Sequence, residues 1–152
     1  MGQIGKFLTA IVIGCTLGQG CKKDSISPYD YGTFLKCHNK GNWDLESTKN
    51  KIIGLWEWKY IKCCGGTANP YENESESKGL KIEFKKDGTG ILIDNDAIGE
   101  FKWDIGTYNV FFSFTTDPPI PQIIGQLLFC DDIMMCNASY KDGADNFFKK
   151  LN

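Results

Sequence analysis

From residue 54 to the end of the chain, apolar and polar positions largely alternate, and turn-forming residues mark the breaks. Within 52–62, Leu55, Glu57, Lys59 and Ile61 fall on one face and Trp56, Trp58 and Tyr60 on the other. That is the period-two pattern of a half-buried strand with one aromatic side. Leu80, Ile82 and Phe84 alternate against Lys81, Glu83 and Lys85, Asp87-Gly88 supplies a hairpin turn, and Gly90 to Ile93 runs back. Over Ile98 to Ile105, Phe101 and Trp103 oppose Glu100, Lys102 and Asp104. Gly106 is expected to turn the chain, so that Tyr108, Val110, Phe112 and Phe114 line one face of the next strand. Asp117-Pro118-Pro119-Ile120-Pro121 predicts a stiff loop, because proline has no N–H for a sheet ladder. Further strands are expected over 123–129, 134–140 and 146–151, with Asp142-Gly143 opening the last turn. About eight short strands joined mostly by short connections predict an all-β sandwich or antiparallel barrel.

The segments outside this pattern differ in character. Thr67 to Gly79, rich in Asn, Glu and Ser, predicts a long exposed loop after Cys63-Cys64-Gly65-Gly66. Ahead of the first strand, Asn42 or Asp44 can cap a helix in which Leu45, Lys49 and Ile52 recur at helical spacing until Gly54 ends it. Ser25 to Lys40 is polar, carries Pro28 and shows no sustained period, so 21–42 is expected to be a tether. Residues 1–20 have the form of an export signal: Lys6 gives a small positive region, and Phe7 to Leu17 is an apolar run too short to span a bilayer.

Two resemblances add to this. Cys21-Lys22-Lys23-Asp24 resembles the start of mature bacterial lipoproteins, especially those of the Bacteroidetes type, which implies a lipid on Cys21, a membrane anchor and a place in the cell envelope, at the outer membrane. Cys15, after Val12-Ile13-Gly14, is the rival site and fits the usual lipobox more closely, but would leave a very short apolar region. Gly54-Leu55-Trp56, a Gly-x-Trp heading the first strand, resembles the entry motif of the lipocalins and their short bacterial relatives. The likeness covers about 43–152 and implies a closed up-and-down barrel of about eight strands with a short N-terminal helix closing one end. It further implies that Trp56 packs there under a basic residue from the far end of the chain. The matching positions are Lys149 or Lys150, where lysine replaces the usual arginine and stacks less readily on a ring.

Charge and cysteine content narrow the function. The chain has 152 residues with 17 basic and 19 acidic side chains intermixed, so it carries no basic stripe for nucleic acid. Every basic residue is lysine, which removes the planar fork suited to bidentate phosphate recognition. With Cys15 removed and Cys21 acylated, five cysteines remain: Cys37, Cys63, Cys64, Cys130 and Cys136. An exported location predicts disulfides among them, in the simplest framework Cys130 with Cys136 and Cys37 with Cys63 or Cys64. A metal site is disfavoured by the single histidine, His38, which is expected to be a solvent-facing loop residue. No catalytic motif is present, and no cofactor is implied. Asp94/Asp96, Asp131/Asp132 and Asp142/Asp145 are expected to be solvated turn formers.

Two function classes follow. One is a lipid-anchored, non-catalytic binding protein whose barrel mouth takes a small hydrophobic ligand, with Trp58, Tyr60, Trp103 and Phe112 as the candidate contacts. The other is a structural or interaction lipoprotein with a solid barrel, in which Trp56, Trp58, Tyr60, Phe84, Phe101, Trp103, Phe112 and Phe114 fill the interior and the loops meet another envelope protein.

Overall fold

The computed structural model describes residues 31–63, 79–108, 111–141 and 143–151. Eight antiparallel strands, β1 (Gly54–Cys63), β2 (Lys81–Phe84), β3 (Thr89–Asp94), β4 (Ala97–Tyr108), β5 (Phe111–Asp117), β6 (Gln126–Cys130), β7 (Ile133–Asn137) and β8 (Ala144–Leu151), form one sheet in the order β5-β4-β3-β2-β1-β8-β7-β6. That order is the chain order wrapped round, with β8 against β1, and the sheet curls into a nearly closed barrel in which β5 and β6 approach each other. Helix α1 (Tyr31–His38) and helix α2 (Leu45–Ile52) precede the first strand.

The hairpins form where the turn chemistry is right. Asp87 accepts from the Thr89 N–H at 2.9 Å and from the Thr89 hydroxyl at 2.7 Å, fixing the β2/β3 turn, where Gly88 has φ +82°. Asn95 and Asp131 take positive φ in the β3/β4 and β6/β7 turns, as short polar residues tolerate. The turn expected at Gly106 is absent: β4 runs through it to Tyr108, paired with Phe111 on β5. Exposed on the outer face, Gly106 meets no steric demand that would break the ladder. The expected loop 67–79 lies outside the described residues, apart from Gly79.

Inside the barrel, Trp56, Ile82, Phe84, Phe101, Trp103, Phe129, Met134 and Phe148 make one buried core. The β5/β6 connection does more than turn. Its short 3-10 turn Pro121–Ile123 drives Ile120 and Ile123 into that core, so the loop plugs the end of the barrel opposite α2. The Ile120 N–H donates to the Thr116 hydroxyl at 3.1 Å, which holds the plug to the end of β5.

The segment expected to be a tether contains α1, and α1 belongs to the domain. Phe34, its buried residue, covers the outer side of the sheet over Tyr60, Phe147, Met135 and Leu128. Those four are cross-strand partners in a single row over β1, β8, β7 and β6. The pattern missed α1 because eight residues with one deeply buried side chain give almost no periodic signal.

Candidate functional site

Three constructions set the barrel's ends and wall: the α2 end, the α1 staple and the mouth. At the α2 end, Asp44 is the N-cap and forms a capping box with Ser47, the Asp44 carboxylate accepting from the Ser47 N–H at 2.7 Å. The Ser47 partners hold the Asp44 carboxyl below its usual range. Helix α2 ends against β1, where the Trp56 indole N–H donates to the Ile52 carbonyl at 2.6 Å. The Lys150 ammonium donates to the Lys51 carbonyl at 2.8 Å and lies 5.2 Å from the centre of the Trp56 ring. It thereby satisfies a carbonyl at a helix C-terminus and caps the ring with one cation. Burial, then the neighbouring Lys51 charge, lowers the Lys150 pKa. Gly54 has φ +124°, and a Cβ there would stand 3.1 Å from the Lys150 Cε, so both conformation and the passing lysine select glycine. Lys149 faces the other way, 3.7 Å from Asp132.

The α1 staple corrects the expected bridges. Cys37 is joined to Cys130, and Cys136 is a buried free thiol whose pKa burial pushes far up. Cys130 and Cys136 sit at opposite ends of the β6/β7 hairpin, where the Cys130 partner is Ile133 and the Cys136 partner is Leu127. Strand pairing therefore separates them. Cys63 ends β1 opposite Ala144, and Cys64, like Cys15 and Cys21, lies outside the described residues. His38 is no free loop residue. Its Nδ1 accepts from the Phe129 N–H at 3.0 Å, and its ring stacks on Trp43 at 5.4 Å. Trp43 in turn donates to the His38 carbonyl at 2.8 Å and rests on Phe129. Burial lowers the His38 pKa below the ordinary 6.5. Among the described residues, the potential metal-ligand group is Cys37, Cys130 and Asp131, and both sulfurs are spent in the disulfide.

The mouth lies between the Ile120/Ile123 plug and the β1/β8 wall. There a cavity of about 330 Å³ is lined by Trp58, Ile61, Ile124, Ala144 and Asn146, with Pro121 and Gln122 on its plug side. A β-bulge between Trp58 and Tyr60 shapes it. Before the bulge Trp58 pairs with Phe148 and faces in. After it Tyr60 pairs with Phe147 and faces out under α1, while Ile61 turns in. Strict alternation from Trp56 thus misplaces Tyr60, a candidate ligand contact, because the extra residue inverts the faces. Of the other candidates, Trp103 is buried at the α2 end with its N–H on the Thr89 carbonyl at 2.9 Å, and Phe112 is half-buried against the core. Only Trp58 reaches the mouth.

Two polar atoms at the mouth have no partner: the Trp58 indole Nε1 and the Asn146 Oδ1, both closed off from water. The contrast among the four tryptophans is sharp, since Trp43, Trp56 and Trp103 each donate to a backbone carbonyl. Asp145, expected to be a solvated turn former, is 4% exposed. Its Oδ1 accepts from the Asn137 side chain at 2.8 Å, the Ala138 N–H at 3.1 Å and the Ser139 N–H at 3.0 Å, which braces the β7/β8 turn at the cavity rim. A buried carboxylate is tolerable only with such donors. Asp94, the last residue of β3, and Asp96 and Asp131, in turns, are exposed, and Asp142 lies outside the described residues. Asn146 was missed as a candidate because a polar residue after Asp145, at the head of the expected closing strand, looks like the edge of that strand.

No family model matches the chain, and neither the curated proteins nor the solved structures contain a match to it.

Proposed function

We propose that this chain is a lipid-anchored, non-catalytic lipoprotein of the cell envelope, with a lipocalin-like barrel that holds one small, largely apolar ligand at its mouth. The observation that carries the binding role is the 330 Å³ cavity between the plug and the β1/β8 wall, of a size at the lower end for small-molecule sites. A long acyl chain does not suit it, because Trp56, Trp103, Ile120, Ile123, Met134 and Phe148 fill the barrel interior that such a chain would need. The non-catalytic part is supported by His38, the chain's single histidine, whose Nδ1 is committed to Phe129 and whose ring is stacked on Trp43. The lipid is assigned to Cys21 on the sequence, and a membrane is the partner that this implies.

The filled interior also favours a second reading, a structural or protein-interaction lipoprotein with no ligand. A fluorescence titration separates the two. A compact aromatic probe such as 1-aminoanthracene should bind saturably and lose most of its affinity in Ile61→Asp, while a fluorescent fatty-acid analogue should not bind. Absence of saturable binding by either probe favours the second reading, and tight fatty-acid binding overturns the mouth assignment. The anchor is tested by the mass of the acylated N-terminal peptide, which should begin at Cys21, and a peptide beginning at Cys15 contradicts it.

A further inference from the structure

We infer that the mouth selects a ligand with an amide-like group, one hydrogen-bond acceptor beside one donor on an otherwise apolar body. The inference rests on the mouth-binding reading above and adds the chemical class. Its ground is the pair of unpartnered atoms on two side chains that line the same cavity: an N–H donor on Trp58 and a carbonyl oxygen on Asn146. Buried polar groups in folded proteins are overwhelmingly paired, and each unpaired one is a destabilising feature that calls for a reason. Asn146 is 5% exposed and sits inside β8 between Asp145 and Phe147, where an apolar side chain would pack without that loss. The other tryptophans of the chain show that its indole N–H groups are otherwise provided for.

An apolar hydrocarbon gives neither atom a partner. A carboxylate would suit Trp58 but set its charge against the Asn146 oxygen. A lactam or secondary amide satisfies both, its carbonyl accepting from Trp58 and its N–H donating to Asn146. Both polar atoms are closed off from water in this structure, so binding requires the Trp58 ring and the Asn146 amide to turn toward the cavity, each about a terminal torsion that is broad and soft. The walls of Ile61, Ile124 and Ala144 then take the apolar body. A site built this way rejects an analogue lacking the polar group, because the protein's own atoms stay unpaired.

The test compares ε-caprolactam with cycloheptane, similar rings with and without the amide, by following the four indole N–H resonances of the 15N-labelled protein. The Trp58 resonance is identified by its disappearance in Trp58→Phe. The lactam should bind saturably and move the Trp58 N–H downfield while leaving those of Trp43, Trp56 and Trp103 in place, and cycloheptane should bind at least about tenfold more weakly. Asn146→Leu should raise the thermal midpoint and weaken the lactam about tenfold. Cycloheptane binding as tightly as the lactam, seen at the Ile61 and Ile124 methyls without a Trp58 N–H shift, overturns the amide class and leaves mouth binding standing. If neither ring perturbs Trp58, Ile61 or Ile124, both fall. The comparison of the two rings needs no variant, so it stands even if Asn146→Leu fails to fold.

Discussion

Strands β2 to β4 turn their outer faces to water, with Lys81, Glu83, Glu100, Lys102 and Asp104 exposed or half-buried there, whereas the outer faces of β1, β8, β7 and β6 lie beneath α1. The sequence differs accordingly. β2 and β4 alternate, as one covered face requires, but Leu127-Leu128-Phe129-Cys130, Ile133-Met134-Met135-Cys136 and Phe147-Phe148 are continuous apolar runs. In each run one member faces the barrel and its neighbour faces α1: Phe129 and Leu128, Met134 and Met135, Phe148 and Phe147. An unbroken apolar run in an antiparallel sheet therefore implies a cover, and the chain must supply it from elsewhere. Here it comes from α1, far upstream of β6 in the chain, held by the Cys37–Cys130 bridge, which spans a separation of 93.

The largest effect should come from breaking the covered row. Phe147→Ala removes the ring that meets Phe34 at 5.8 Å and Tyr60 at 5.7 Å, and should cost about 3–5 kcal/mol in urea unfolding. Lys102→Ala, equally outward but on β4, should change stability by no more than about 0.5 kcal/mol. Similar losses from the two would erase the distinction between the halves.

Releasing the cover rather than the row comes next. Cys37→Ser with Cys130→Ser should cost about 2–4 kcal/mol, as expected for a long closed loop. It should also speed amide exchange in β6 and β7 while β2 and β3 keep theirs. Uniform loss of protection across all eight strands would mean that α1 supports the whole barrel and not one side of it.

The smallest effect sharpens the comparison through pH. His38 is neutral where it accepts the Phe129 N–H, and its folded pKa lies below the unfolded value of about 6.5. Below that value the unfolded chain binds the proton first, so stability should be full above about pH 6.5 and fall as pH drops toward the folded pKa. Comparing urea midpoints at about pH 7.5 and about pH 5.5 should show this loss, and His38→Gln should remove it from that window. An unchanged slope in the variant would clear His38 of the role.

Much of this was legible in the residues. The eight strands, the Asp87-Gly88 hairpin and the helix capped by Asp44 follow from alternation, turn chemistry and capping, which are local. What the residues hid was non-local or irregular. The Tyr60 reversal depends on one bulged residue, and the Cys37 partner depends on which strand α1 lies against. The plug by Ile120 and Ile123 sits in a proline-rich stretch whose composition announces only a loop. For the mouth, Trp58 was visible as an inward aromatic, but the value of Asn146 lies in the absence of a partner, which no linear pattern displays.

The central claim is that α1 is part of the domain, stapled over the outer row of β1, β8, β7 and β6. The most direct measurement is mass-spectrometric peptide mapping of the unreduced protein after blocking free thiols. The expected result is a linked pair of peptides containing Cys37 and Cys130, with Cys136 recovered as a thiol once the protein is unfolded during blocking. A Cys130–Cys136 link, or Cys37 joined to Cys63 or Cys64, would detach α1 from β6 and contradict the account.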